Sequence, residues 1–269
     1  MQENAMSDNT SLILEVAQNA ARQAGALLLE KIGHADIHEK QSTQNLVTEA
    51  DLASEQLISD LVLDRFPDHV MMKEETEFDG EIGAAHLWVV DPLDATNNYA
   101  HGIPHFCVSI AYAQAGVVQV GVVYDPSRDE MFCGVRGSGA TLNGEQIAVS
   151  QPTGLNRSII ATGFYYDRGL TMERTLESIA TLFRINIRGL RRMGAAALDL
   201  CWIACGRFEG YFEYQLAPWD YAAGALIVAE AGGACFDRAG QPLTLESRSV
   251  VAGSSAIIQD LVDHVKWDG

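Results

Sequence analysis

The sequence predicts an α+β fold built from two differently patterned halves. Three observations predict it. The first half opens with two helical stretches and continues as strand-length apolar segments joined by tight-turn signals. The second half alternates strand and helix patterns. The chain has 269 residues, 48% hydrophobic and 8% aromatic, enough for one large core or two closely packed ones. The halves fall at 1–150 and 151–269, and they are expected to form one compact unit with a site between them.

In order, residues 1–9 are polar and read as frayed. Apolar residues Leu12, Val16, Ala20, Ala24, Leu27 and Leu28 recur at helical spacing, and Gly33 is a plausible C-cap. A short strand is expected at 37–40. Thr48-Glu49-Ala50-Asp51 resembles a capping box and opens a helix to about residue 65. A short strand over 70–73 ends in the acidic run Glu74-Glu75-Thr76-Glu77, followed by a Gly-containing loop over 78–85. Leu87, Trp88, Val89 and Val90 read as a buried strand that stops at Asp91-Pro92. His101 and His105 flank a Gly- and Pro-containing stretch and read as loop residues. Strands follow at 107–113, 117–124 and 130–135. Ala115-Gly116, Asp125-Pro126-Ser127-Arg128 and Asn143-Gly144 mark turns.

Residues 151–155 form a candidate linker. Beyond it the expected elements are strand 158–162, helix 172–183, strand 186–190 and a small-residue helix at 194–205. Next come strand 210–214, a buried helix opened by Pro218, strands 234–237 and 250–253, and a final helix 256–265.

Composition narrows the function. The net charge is −18, so binding nucleic acid by phosphate neutralisation is disfavoured. An anionic small substrate needs metal ions to supply local positive charge. The five cysteines include no C-x-x-C pair, and Cys201 and Cys205 read as small buried hydrophobes in a reducing compartment. No apolar run of about 18 residues is present. The expectation is a soluble, cytoplasmic protein with no membrane partner.

The candidate chemistry is acidic. Asp91 and Asp94 stand three apart at a strand end, followed by Thr96-Asn97-Asn98. Asp220 opens an apolar helix, and Asp51 opens the second helix; each is also explained as a first-turn acid favouring the helix dipole. Glu74 follows a strand, where an acidic run is also explained as a solvated loop. Together Glu74, Asp91, Asp94 and Asp220 make an all-oxygen ligand set of the kind Mg²⁺ takes. No H-E-x-x-H, G-x-S-x-G or P-loop pattern is present.

Asp91-Pro92-Leu93-Asp94-Ala95-Thr96-Asn97-Asn98-Tyr99 resembles the signature of the inositol monophosphatase family. Trp219-Asp220-Tyr221-Ala222-Ala223-Gly224 resembles its second signature, with Ala229-Glu230-Ala231-Gly232-Gly233 behind it. The likeness extends to Asn45-Leu46-Val47-Thr48-Glu49-Ala50-Asp51, Glu74-Glu75-Thr76 and Arg192-Met193-Gly194-Ala195-Ala196-Ala197-Leu198-Asp199-Leu200. It implies a layered αβαβα sandwich, like that of inositol monophosphatase and fructose-1,6-bisphosphatase. It implies hydrolysis of a phosphate monoester, inositol monophosphate or a related sugar or polyol phosphate, by two-metal activation of water, with two or three Mg²⁺ ions.

By the same likeness Glu74, Asp91 and the Leu93 carbonyl hold one ion, and Asp91, Asp94 and Asp220 a second. Thr96, oriented by Asp51, positions the attacking water, and Glu74 assists. The backbone N–H groups of Ala95 and Thr96 receive the phosphate. Glu213 and the Gly194-Ala195-Ala196 backbone meet the hydroxyl-bearing part of the substrate. A homodimer and lithium sensitivity are also implied. Ala95 departs from the family's usual Gly, which puts phosphate geometry and substrate choice in question. The alternatives are a 3′-phosphoadenosine nucleotide phosphatase or fructose-1,6-bisphosphatase of the same superfamily, or a non-catalytic regulatory protein on this fold.

Overall fold

The computed structural model describes residues 2–33, 37–42, 45–166 and 168–267, and the side chains of 9–33, 49–166 and 168–267. The first helix is α1 (Gln2–Lys31); the frayed start expected over residues 1–9 falls almost wholly outside the residues whose side chains are described. A hairpin, β1 (Ile37–Ser42) and β2 (Asn45–Thr48), leads into α2 (Glu49–Arg65). The Thr48 side chain, the first member of the expected capping box, lies outside the described residues.

The first sheet has seven strands in chain order: β3 (Val70–Lys73), β4 (Leu87–Asp94), β5 (Cys107–Gln114), β6 (Val117–Asp125), β7 (Glu130–Val135), β8 (Gly139–Leu142) and β9 (Glu145–Ile147). Only β3 and β4 are parallel; the rest is an antiparallel meander. A five-residue helix, α3 (Thr96–Ala100), follows β4. β4 does not stop at Pro92 as the sequence predicts. It continues to Asp94 through a register shift, Asp91 opposite Ser109 but Asp94 opposite Cys107. This bulge absorbs the proline, whose missing N–H has no ladder bond to make there.

The second sheet is mixed, in the order β11-β10-β12-β14-β13. Its elements are β10 (Ile159–Thr162), α4 (Leu170–Arg184), β11 (Gly189–Arg191), α5 (Ala196–Ala204), β12 (Gly210–Glu213), α6 (Pro218–Glu230), β13 (Gly233–Phe236), β14 (Val250–Ser254) and α7 (Ile258–Val265).

Period-two patterning sorts these elements into layers. Trp88, Val90, Ile110, Tyr112 and Val122 face α1 and α2, whereas Leu87, Val89, Ala111, Val123 and Phe132 face the opposite way. That second face shares a core with α5, α6 and the inner residues Tyr211, Val250 and Ala252 of the second sheet. Phe212 and Val251 point outward to Leu182 of α4 and Leu261 of α7. The result is the αβαβα stack. No helix among the described residues is long and apolar enough to cross a membrane.

The central layer is seated by glycine. A Cβ on Gly121 of β6 would lie 2.7 Å from the Ala223 carbonyl oxygen, and one on Gly134 of β7 would lie 3.1 Å from the Ile227 Cα. These positions let α6 rest directly on the first sheet. Gly121→Ala is therefore expected to lower unfolding stability by about 1–3 kcal/mol, the usual range for overpacking. A urea midpoint equal to that of the unsubstituted protein would contradict this close approach.

Candidate active site

Register and close packing assemble the site from distant segments. In the parallel pair, Lys73 stands opposite Val90, which sets Glu74 beside Asp91 just past the strand ends. The β4 bulge carries Asp91, Leu93 and Asp94 into the same volume, and α3 begins there at Thr96. Helix α6, seated on Gly121, brings in Asp220 from its first turn. The second sheet contributes its parallel strand ends: Gly163–Tyr166 after β10, Arg192 after β11 and Glu213 at the end of β12. Ligand sites form outside such carboxyl ends in open sheets.

These segments enclose a cavity of about 350 Å³. Of the residues singled out from sequence, Glu74, Asp91, Leu93, Asp94, Ala95, Thr96, Gly194, Ala195, Ala196, Glu213 and Asp220 all line it. Asp51 does not; it is fully buried behind Thr96 and accepts a hydrogen bond from Thr96 Oγ1 at 2.9 Å. Thr96 Oγ1 also lies 3.2 Å from the Leu93 carbonyl oxygen.

Three of the acids are fixed by backbone donors. Leu93 N–H donates to Asp91 Oδ1 at 3.0 Å, Ala197 N–H to Asp94 Oδ2 at 2.8 Å, and Ala217 N–H to Asp220 Oδ2 at 2.7 Å. Asp94 thereby caps α5 and Asp220 reaches back over the start of α6, where helix dipoles favour negative charge. The first-turn explanation of Asp220 is thus correct as far as it goes; the cavity location is additional.

Burial is the largest influence on these acids. It pushes Asp91 well above the usual carboxylate range, and the charges of Glu74, Asp94 and Asp220 push the same way. Burial raises Asp94 to about 7 against the Ala197 hydrogen bond, with Glu74 and Glu213 adding repulsion. Burial raises Glu213 to about 7, offset by its bond from Tyr211 and by Arg192. Asp220 is raised well above its ordinary value by burial, then by Glu74 and Asp94. The cavity therefore holds more negative charge than Arg192, its one lining cation among the described residues, can offset.

The donor set fits a hard divalent cation: carboxylates plus a carbonyl, with no sulfur or imidazole lining the cavity. Among the described residues no three such side chains converge tightly on one point.

Ala95, at the N-cap of α3, has φ 74° and ψ 48°, the left-handed region. The conformation a Gly would favour is therefore required here, and the methyl is strained by roughly 1–2 kcal/mol.

A family model described as the inositol monophosphatase family matches residues 9–266. The chain belongs to the inositol monophosphatase family. Within it, the chain is 41% identical to the Inositol-1-monophosphatase of Synechocystis sp., over 92% of this chain and 86% of the relative. It is 40% identical to the Nus factor SuhB of Pseudomonas aeruginosa, over 94% of this chain and 96% of the relative. The crystal structure of extragenic suppressor protein suhB from Bartonella henselae matches with a TM-score of 0.89 at 35% identity, covering 96% of this chain and 100% of that one.

Reading the inositol monophosphatase signatures did not single out every cavity residue. Asp199 of α5 lines the floor, 1% exposed, with Oδ1 4.0 Å from Nε2 of the buried His105. Burial raises Asp199 well above its usual range and lowers His105 to about 4, with Arg128 adding to the latter. With His105 held at about 4, its ring is uncharged near neutral pH, so the contact is not an ion pair. His105 is a loop residue, as its Gly and Pro neighbours imply, but a buried one: its ring packs edge-on against Trp202 at 5.3 Å. The readable signal for Asp199 was an acid inside an apolar helix, the argument that selects Asp220. Arg192 lies in the basic knot 191–192, where charge alone did not mark a site.

Proposed function

We propose that this family member is a Mg²⁺-dependent phosphate monoesterase acting on inositol monophosphate or a related polyol or sugar phosphate. One observation carries the proposal. Four acids from three separate segments, Glu74, Asp91 with Asp94, and Asp220, border one cavity, and Thr96, which lines it, is bonded to the buried Asp51 behind it.

In this reading Glu74, Asp91, the Leu93 carbonyl, Asp94 and Asp220 hold two or three Mg²⁺ ions. Bound Mg²⁺ supplies Lewis-acid stabilisation of the phosphoryl oxygens and lowers the pKa of water. Thr96 orients the attacking water while Asp51 fixes its hydroxyl, and Glu74 accepts the water's proton. Ala95 and Thr96 present backbone N–H groups to the phosphate at the start of α3. Glu213, with the Gly194-Ala195-Ala196 backbone, meets the substrate's hydroxyls; all four line the same cavity. Residues 1–150 and 151–269 act as halves of one catalytic unit. A cytoplasmic location, a homodimer and lithium sensitivity belong to the same reading.

Phosphate release from a panel of monoesters, with and without Mg²⁺, tests it. Preference for a nucleotide 3′-phosphate or fructose-1,6-bisphosphate would move the protein to the alternative enzymes. The relative named Nus factor SuhB favours one second reading, a regulatory binding role on the same fold. Absence of release from every monoester would select it.

Ala95→Gly is expected to raise stability by about 1 kcal/mol or less, by relieving the left-handed strain. It should also change the ranking of substrates across the panel. Unchanged kinetics throughout would show that the methyl does not touch the substrate.

A further inference from the structure

The buried face of α2 is unusual for being polar. Asp51, Ser54, Glu55 and Ser59 recur at positions i, i+3, i+4 and i+8, so they share one side of the helix. They are 0%, 0%, 4% and 6% exposed. Polar groups this deep are tolerated only when bonded, and all four are bonded.

Their partners form a pattern. Asp51 accepts from Thr96 Oγ1 at 2.9 Å. Ser54 Oγ donates to the Pro92 carbonyl at 2.8 Å, inside the β4 bulge between Asp91 and Asp94. Glu55 Oε2 accepts from Glu75 N–H at 2.9 Å, and its Oε1 from Thr76 Oγ1. Lys73 Nζ lies 3.2 Å from Glu55 Oε1 and donates to Ser59 Oγ at 3.3 Å. Glu55 therefore grips Lys73, Glu75 and Thr76, on both sides of Glu74.

We propose that Glu55 is a positioning residue: its carboxylate clamps the segment 73–76 and so sets Glu74 against Asp91 and Asp94 for Mg²⁺ binding. This rests on the phosphatase reading above. The Glu74 segment needs such a clamp because it follows the four-residue strand β3 at the sheet edge, and residues 74–86 form no further strand or helix. A carboxylate suits the task, since one side chain accepts a backbone N–H, a hydroxyl and an ammonium together. Ser54 and Asp51 do the equivalent work for the bulge and for Thr96. One helix face thus sets the relative placement of two stretches distant in sequence, 73–76 and 91–96.

The test is Glu55→Gln, which keeps the size but removes the charge. Partners one layer behind metal ligands typically influence affinity by about 10–100-fold, so the Mg²⁺ concentration for half-activity should rise at least about tenfold. Turnover at saturating Mg²⁺ and the KM for substrate should change by less than about threefold. Two readouts do not depend on activity. Mg²⁺ affinity by calorimetry should fall in step. In metal-free protein, amide exchange should accelerate at 74–77 but not at 96–100. Thr76→Val removes one contact from the exposed loop side, where folding is not at risk, and should shift Mg²⁺ affinity in the same direction. Glu55→Asp should recover part of the affinity.

Unchanged Mg²⁺ affinity in both Glu55→Gln and Thr76→Val overturns the proposal. Exchange that accelerates evenly along the chain also overturns it, by showing a merely structural role. If the unsubstituted protein releases no phosphate from any monoester, the phosphatase reading fails instead, and the metal-free exchange still decides whether Glu55 clamps the segment.

Discussion

Asp94→Asn is expected to abolish turnover while leaving the fold intact. Asp94 sits at the end of β4 with Oδ2 accepting from the Ala197 N–H, and burial, then the charges of Glu74 and Glu213, raise its pKa. Asparagine has nearly the same shape, and its amide oxygen can keep the Ala197 bond. The carboxylate charge is what disappears. Losing several kcal/mol of metal-borne transition-state stabilisation corresponds to a loss of roughly 10³-fold or more in rate. The variant should bind Mg²⁺ more weakly and, without metal near neutral pH, melt higher than the unsubstituted protein, because one repelling buried charge is gone. Phosphate release, circular dichroism and melting in chelator check the three parts. Normal turnover in a folded variant would sink the assignment of Asp94.

The second large effect is on stability against pH. Asp94 and Glu213 each titrate at about 7 in the fold, against ordinary values of 3.8 and 4.5, and Asp91 and Asp220 are also raised. Between those limits the folded state holds protons that the unfolded state has released. Stability from these groups is therefore complete below about pH 4 and is lost as pH rises through about 7. Metal-free protein should melt roughly 5–10 °C lower at about pH 8 than at about pH 5.5, a shift of a few kcal/mol in a chain of this size.

Mg²⁺ acts with the opposite pH preference, because it binds carboxylates that protons have left. Its stabilising increment should be several-fold larger at about pH 8 than at about pH 5.5. Melting in chelator and in saturating Mg²⁺ at both pH values measures this. Equal increments at the two would show that the ion does not compete with these protons.

Much of this was legible beforehand for local reasons. Pro218 fixes the start of α6, and the two-residue turns Ala115-Gly116 and Asn143-Gly144 join paired strands as read. Where reading failed, a longer-range term intervened. Pro92 looked like a strand terminator because its missing N–H is a local fact, whereas the bulge that accommodates it depends on pairing with β5. His105 was rightly read as a loop residue among Gly and Pro, but its burial was not legible, because Trp202, 97 positions away, covers it. Glu55 had no signal at all: a Glu in a helix is ordinary until its burial is known.

The sequence by itself determined two differently patterned α+β halves through periodicity, and through its family signatures the family, the layered arrangement that likeness implies and the residue types available to the cavity, because both kinds of signal are written in consecutive residues. It also raised the question about Ala95, although only backbone geometry placed that residue in the left-handed region. The tertiary structure alone decided the juxtapositions. The parallel register of β3 and β4 sets Glu74 beside Asp91, Gly121 lets α6 bring Asp220 to the first sheet, and the end of β4 meets the start of α5 through Asp94. Each joins segments distant in the chain. Such contacts follow from packing that minimises exposed apolar surface over the whole molecule, which no local stretch of sequence encodes.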